Sequence, residues 1–126
     1  MVEKKRICFD LDGTICTLQN KTGDYENAVP LPGAVETINR LYDEGHYIII
    51  YTARRMRTCE GDVQRVVAMV GEVTRTWLER HGVKHHELIF GKPYAHLYVD
   101  DLAHRFDGDW SGVGALVDKM VKVEQL

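Results

Sequence analysis

The stretch ICFDLDGTI, residues 7–15, is a short apolar run that ends in two acids. A run of this kind, stopped by a glycine, predicts a buried strand. Asp10 and Asp12 fall where the strand ends, and Gly13 and Thr14 follow in a turn. A solvated turn would account for Asp12-Gly13, but it would not account for a carboxylate inside the apolar run, because a buried charge is costly without a partner. The stretch therefore indicates a functional site at a strand end.

The rest of the chain alternates between strand-type and helix-type patterns. Gly71 interrupts one of the helical patterns, which weakens the expectation of a single continuous helix there. The predicted strands are 7–11, 47–51, 88–90 and 97–99, and the predicted helices are 34–42, 63–78 and 113–121. This order predicts an α/β, three-layer Rossmann-like fold, with a mostly parallel sheet and helices on both faces.

A polar segment separates the first predicted strand from the first predicted helix. Residues 17–32 are broken by Gly23, Pro30 and Pro32, and residues 21–24 form a turn-type sequence. We expect this segment to form a small hairpin flap.

Composition excludes several classes of function. With 44% hydrophobic and 28% charged residues, residues 1–126 are expected to form one globular domain. A net charge of -3 without a basic block argues against nucleic acid as a partner. The apolar runs are too short to span a membrane, the start lacks a signal-peptide pattern, and the three cysteines have no CxxC spacing. We therefore expect a cytoplasmic protein that needs no membrane.

Reactive side chains follow three of the predicted strands: Asp10 and Asp12 the first, Thr52 the second, and Asp100 and Asp101 the last. Because function collects at the carboxyl ends of parallel strands, these side chains are expected to converge. Four carboxylates at one edge repel one another unless a cation neutralises them. Mg²⁺ prefers oxygen ligands and is the natural candidate.

Lys92, shortly before the last acid pair, adds a fixed cation. Acids, a divalent metal, a lysine and a threonine hydroxyl suit phosphoryl transfer, in which the charge of the moving group must be balanced. Asp10 would attack phosphorus, and Asp12 would exchange protons with the leaving oxygen and with water. Gly13 and Thr14 would offer backbone N–H groups to the phosphate.

In their order along the chain, these residues carry a resemblance to a known family. The sequence DLDGT, residues 10–14, resembles the first motif of the haloacid dehalogenase superfamily. Thr52 resembles the second motif, Lys92 the third, and Asp100-Asp101 the fourth. Four motifs in the right order are far more specific than any one of them.

The resemblance covers residues 6–106. It implies a Rossmann-like fold, an aspartyl-phosphate intermediate on Asp10 and general acid/base work by Asp12. It also implies Mg²⁺ held by Asp10, the carbonyl oxygen of Asp12 and Asp100, with Asp101 in the same site either directly or through water. The chain is similar to small phosphatases of capsule and lipopolysaccharide sugar pathways.

Many superfamily members carry a cap domain, and this sequence has no room for a full one. Only the flap at residues 16–32 and the stretch 58–91 occupy the positions where caps are inserted. Relatives with minimal caps act on large substrates or use a neighbouring subunit as a lid. The resemblance therefore implies an open site and a homo-oligomer, either a dimer or a tetramer.

Ala53, Arg54 and Arg55 follow Thr52 directly, with Arg57 close by. Arginines at this position could hold the phosphate or an acidic sugar of the substrate, so Ala53, Arg54 and Arg55 are predicted to bind it. A solvated loop rich in arginine is the alternative.

The sequence as a whole predicts a Mg²⁺-dependent phosphomonoesterase that acts on a small phosphate ester, with a sugar phosphate favoured. Two alternatives remain open. One is a phosphotransferase of the same superfamily, which would have to keep water out of the site. The other is a catalytically silent module that binds phosphate.

Overall fold

A computed structural model of the chain describes residues 4–19 and 22–125, without the side chains of residues 122–125. The described part contains three strands and three α-helices. The strands are β1 (Arg6–Asp10), β2 (Tyr47–Thr52) and β3 (Glu87–Phe90), and the helices are α1 (Ala34–Asp43), α2 (Val63–Arg80) and α3 (Trp110–Gln125). The predicted α/β class, the parallel sheet and the Rossmann-like arrangement are confirmed.

The strands form one parallel sheet in the order β1-β2-β3. Asp10, at the end of β1, lies opposite Tyr51, and Thr52, at the end of β2, lies opposite Phe90. All three strands therefore end at the same edge of the sheet. The sheet order also leaves β1 with one outer edge to which no described strand is paired.

One face of the sheet carries the main core. Phe9, Ile48 and Ile50 point to this face and are at most 6% exposed. They pack in a single cluster with residues from all three helices: Ile38 and Leu41, Trp77 and Leu78, and Val113 and Val117. Burial of this apolar area is the main force that holds the helices on the sheet.

The opposite face is more open than the sequence led us to expect. Cys8 and Ile89 point to it, and both side chains are exposed. The two connections β1-α1-β2 and β2-α2-β3 advance across the sheet in the same direction, and right-handed crossovers then place both helices on one face. A helix on the other face would follow a connection that reverses this direction, and no such connection occurs among the described residues.

The second helix is continuous through Gly71. Asp62 begins it as the N-cap, and its side chain accepts a hydrogen bond from the Arg65 N–H at 3.3 Å. Burial of Val66, Val70 and other residues on one side of the helix outweighs the cost of a glycine in its interior. No helix in the described segments is long and apolar enough to cross a bilayer.

The flap is more irregular than a hairpin. Its described residues form a 3₁₀ turn at Tyr25–Asn27 and an isolated bridge between Cys16 and Pro30. Trp77 of α2 donates its indole N–H to the Ala28 carbonyl at 2.8 Å, which ties the flap to the main core. The predicted turn at residues 21–24 includes Lys21, which lies outside the described residues.

The predicted strand at 97–99 is not formed. Residues 91–109 contain no helix or strand. Leu97 and Val99 are 77% and 89% exposed. Residues 91–96 are the whole connection from β3, whereas a crossover between parallel strands needs about a dozen residues or more. The prediction was wrong because the apolar pattern is typical of a strand but says nothing about whether the connection from β3 is long enough to place that strand in the sheet.

His46, in the turn between α1 and β2, gives the fold a pH dependence. Its ring is buried, and its Nδ1 accepts a hydrogen bond from the Lys5 N–H at 3.0 Å. Burial lowers the pKa of His46, so the unfolded chain binds a proton at a higher pH than the folded chain does. The free energy of unfolding should therefore fall as the pH drops below about 6.5.

This dependence can be measured by chemical denaturation at about pH 7.5 and about pH 5.5, for the parent and for His46→Asn. Asparagine keeps an acceptor for the Lys5 N–H but does not titrate. The variant should therefore lose less stability between the two pH values than the parent does. Equal losses would show that His46 does not contribute.

Candidate active site

Asp10 and Lys92 meet at the carboxyl edge of the sheet. The Lys92 ammonium lies 3.4 Å from Asp10 Oδ1. The Lys92 N–H also donates to the Thr52 carbonyl at 3.1 Å, which fixes the lysine to the end of β2. The structure thus brings together three residues that stand far apart in the sequence.

The Asp10 carboxylate is sheltered without being closed off. The Asp10 side chain is 34% exposed, and the Lys92 side chain is 21% exposed. Burial raises the pKa of Asp10, and the neighbouring Lys92 offsets part of this rise. A carboxylate that has lost part of its hydration and still faces solvent on one side is placed to meet a substrate.

Asp12 is held by the buried arginine Arg54. Arg54 donates from Nε to Asp12 Oδ2 at 2.8 Å and from Nη2 to Oδ1 at 2.9 Å. Its third nitrogen donates to the Thr74 hydroxyl at 3.0 Å, and its guanidinium lies 4.1 Å from the centre of the Tyr25 ring. The Arg54 side chain is 1% exposed. A two-bond pair of this kind fixes the direction of the carboxylate.

This arrangement corrects the predicted role of Arg54. We expected Arg54 to bind substrate, but its guanidinium is buried. It is hydrogen-bonded to Asp12 and Thr74 and lies against the Tyr25 ring. It positions Asp12 instead. In the sequence, Arg54 is a charged residue two positions after Thr52, and no pattern there predicts that its side chain points inward.

Cys16 adds a third donor to Asp12. It is fully buried, and its thiol donates to Asp12 Oδ1 at 3.4 Å. Burial, together with the charge of Asp12, raises the Cys16 pKa to about 12, so the thiol keeps its proton at neutral pH. Sequence reasoning missed Cys16 and Thr74, since neither residue has a motif that points to the site.

The turn after the acids is braced from within. Gly13 has φ +84°, a conformation that favours glycine, and its N–H donates to the Cys16 carbonyl at 2.7 Å. The Thr14 N–H faces the Leu11 carbonyl at 3.3 Å, and the Thr14 carbonyl accepts from the Trp110 indole at 2.9 Å. The predicted role of these two N–H groups in phosphate binding is therefore not supported in this conformation.

The residues after β2 divide into buried and accessible ones. The Thr52 hydroxyl is buried and accepts from the Arg54 N–H at 3.1 Å, so in this conformation it shapes the turn. Ala53 is half-buried. Arg55 is also half-buried, lies 5.4 Å from the Tyr25 ring and has no partner for its buried Nε within the described residues. Arg55 is the arginine still placed to meet a ligand.

The acid pair at the fourth motif does not join the site. Asp100 and Asp101 lie exposed in the irregular segment after β3, and Asp100 Oδ1 accepts from the Leu102 N–H at 2.7 Å. Within the described residues, no three acid, histidine or cysteine side chains lie close enough to hold a metal ion. A single copy therefore does not fit the predicted magnesium site, because the strand that should carry Asp100 to Asp10 is missing.

Comparison with known proteins identifies the family. A sequence profile described as haloacid dehalogenase-like hydrolase matches residues 7–70, about half of the chain. The chain belongs to this hydrolase family. The matched part contains Asp10, Asp12 and Thr52, whereas Lys92 and Asp100 lie beyond it.

A solved structure extends the likeness to nearly the whole chain. A crystal structure of a protein from Vibrio cholerae is 32% identical, with a TM-score of 0.77, and covers 97% of this chain and 99% of its own. No curated protein sequence matches the chain. Since hydrolases of this family are generally phosphatases that use Mg²⁺, membership supports a phosphatase-type function.

Proposed function

We propose that the protein is a Mg²⁺-dependent phosphomonoesterase of small phosphorylated metabolites, with sugar phosphates as the favoured class. The observation that carries the proposal is the partly exposed Asp10 carboxylate with the Lys92 ammonium 3.4 Å away. In a hydrolase of this family, that pair supplies a nucleophile and a fixed positive charge for an incoming phosphate. The requirement for Mg²⁺ rests on family membership.

The reaction proceeds in two steps. In the first, an Asp10 oxygen attacks phosphorus, the ester P–O bond breaks, and Asp12, after taking up a proton from solvent, gives it to the leaving oxygen, which departs as the alcohol. In the second, Asp12 takes a proton from water as the water oxygen attacks phosphorus. The bond from phosphorus to Asp10 then breaks, inorganic phosphate leaves and the carboxylate is restored.

The surrounding residues hold these groups in position. Lys92 balances negative charge beside Asp10. Arg54 and Cys16 fix the orientation of Asp12. Arg55 is half-buried, its Nε has no partner among the described residues, and it would contact the phosphate or a polar group of the substrate.

The open site fits a substrate whose non-phosphate part extends beyond the flap. Cys8, Cys16 and Cys59 are all free thiols, which fits a reducing compartment such as the cytoplasm. We therefore place the activity on a soluble metabolite in that compartment.

The test is phosphate release from a panel of sugar phosphates, nucleotides and phosphorylated acids. Removal of divalent metal with a chelator should lower release from the best substrate by at least about tenfold, because the charge on the phosphoryl group is no longer balanced. Added Mg²⁺ should restore it, and a chelator already saturated with metal is the control. Full release after chelation would refute the metal requirement.

A further inference from the structure

Two features of the described chain are complementary and unpaired. The outer edge of β1 is paired with none of the described strands, and Cys8 in the middle of β1 is exposed. Residues 97–99 form an exposed apolar segment of strand-type residues. An open strand edge and an exposed apolar run are both liabilities that proteins normally cover.

The chain cannot join these two features within one copy. Lys92 is already at the carboxyl edge of the sheet, beside Asp10. A strand parallel to β1 would have to start at the opposite edge, on the far side of β1, and only residues 93–96 lie between Lys92 and Leu97. Parallel crossovers need about a dozen residues or more. The pairing that would bring Asp100 beside Asp10 is therefore excluded in cis.

We propose that residues 97–101 are exchanged between two copies of this chain. In this dimer, the exchanged strand of each copy pairs in parallel with the free edge of its partner's β1, and Asp100 of each copy lies beside the partner's Asp10. The active site is then composite, with its first acids from one chain and its last acid pair from the other. The role of these acids in catalysis rests on the proposed function, but the exchange of the strand does not.

A second copy changes what the short connection has to do. The connection starts at the end of β3, where the Lys92 N–H is bonded to the Thr52 carbonyl at the end of β2. Within one copy, residues 93–96 would have to cross β2 and β1 and also return along the full length of β1. In the dimer the strand pairs with the other chain, so the placement of the two copies sets the distance that these four residues span.

The described single copy shows what the exchange must release. The Tyr98 hydroxyl donates to the Pro93 carbonyl, and the Tyr98 ring lies 4.3 Å from the Lys92 ammonium. Tyr98 is still 47% exposed, and Leu102 is 90% exposed. These local contacts bury little apolar surface, so strand pairing across the dimer replaces them with a ladder of backbone hydrogen bonds and a covered edge.

Disulfide trapping tests the exchange without any need for activity. With Asp100 level with Asp10, residue 98 lies next to the partner's Cys8, at a separation that a disulfide can span. Mild oxidation of Tyr98→Cys should give a covalent dimer on a non-reducing gel. Val99→Cys, whose side chain points to the other face of the sheet, should not do so, and neither should Tyr98→Cys combined with Cys8→Ser. If oxidised Tyr98→Cys runs only as a monomer on the gel, with or without a disulfide inside the chain, the proposal is wrong.

Co-expression of two inactive variants tests the composite site. Asp10→Asn and Asp100→Asn should each release almost no phosphate alone. A mixed dimer contains one doubly altered site and one intact site, so random pairing should recover about a quarter of the parent activity. If the parent is active and the mixture is no more active than either variant alone, the composite site is refuted. If the covalent dimer forms but the parent releases no phosphate, the exchange stands and the phosphatase proposal fails.

Discussion

Replacement of Asp10 by asparagine should lower phosphate release by at least about a thousandfold. The amide cannot act as the nucleophile that forms the covalent intermediate. The side chain keeps its size, and the lost ion pair with Lys92 is partly exposed, so the fold should lose no more than about 1 kcal/mol. The measurement is initial-rate phosphate release with the best substrate, alongside a denaturation curve for each protein.

Asp43→Asn is the matched control for Asp10→Asn. Asp43 forms an exposed ion pair with Lys84 at 2.8 Å, at the end of α1. The same chemical change at Asp43 should leave phosphate release unchanged. If Asp10→Asn retains activity within tenfold of Asp43→Asn, Asp10 is not the nucleophile.

Replacement of Arg54 by leucine should destabilise the protein by about 3 kcal/mol, because it leaves the carboxylate of Asp12 in a mostly buried place without its partner. The Asp12 side chain is 18% exposed and that of Arg54 is 1% exposed, so solvent can replace little of what is lost. Phosphate release should fall as well, since Asp12 loses the two bonds that orient it. Urea denaturation and initial rates, measured on the same preparations, give both effects.

Two further variants make the Arg54 test specific. Arg57→Leu removes an exposed arginine three residues away and should change the free energy of unfolding by no more than about 0.5 kcal/mol. Arg54→Lys keeps the charge but not the two-bond geometry, so its stability should lie between those of the parent and Arg54→Leu. Equal losses from Arg54→Leu and Arg57→Leu would mean that the buried pair has no structural role.

Patterns within a single element were reliable in this sequence. Alternating and continuous apolar residues predicted β1 and β2, and helical spacing predicted α1 and α2 to within a few residues at their ends. In a helix or strand that is buried on one side, the apolar residues repeat with the period of that element. The element can therefore be predicted from its own sequence, without knowledge of what it packs against. Lys92 was expected beside the acids on other grounds, namely its place shortly before the last acid pair and its match to the third motif.

The predictions that failed concerned direction and connection. The sequence placed Arg54 near the site, but only packing decided that its guanidinium turns inward to Asp12 and Thr74. It also predicted a strand before Asp100, but the short connection after β3 prevents that strand from reaching its own β1. A pattern of residue types records what a segment can form, and not whether the chain between two segments is long enough to bring them together.

By itself, the sequence determined the α/β class and the parallel strands, because these follow from local periodicity. It also predicted the acids and the lysine of the site, from their chemistry and from the order of the four motifs. Tertiary structure alone decided that Lys92 lies 3.4 Å from Asp10, that Arg54 serves Asp12, and that Asp100 stays outside the site of its own copy. Those outcomes depend on distances between elements that are remote along the chain. Such distances are set by the packing of the whole core and by the lengths of the connections.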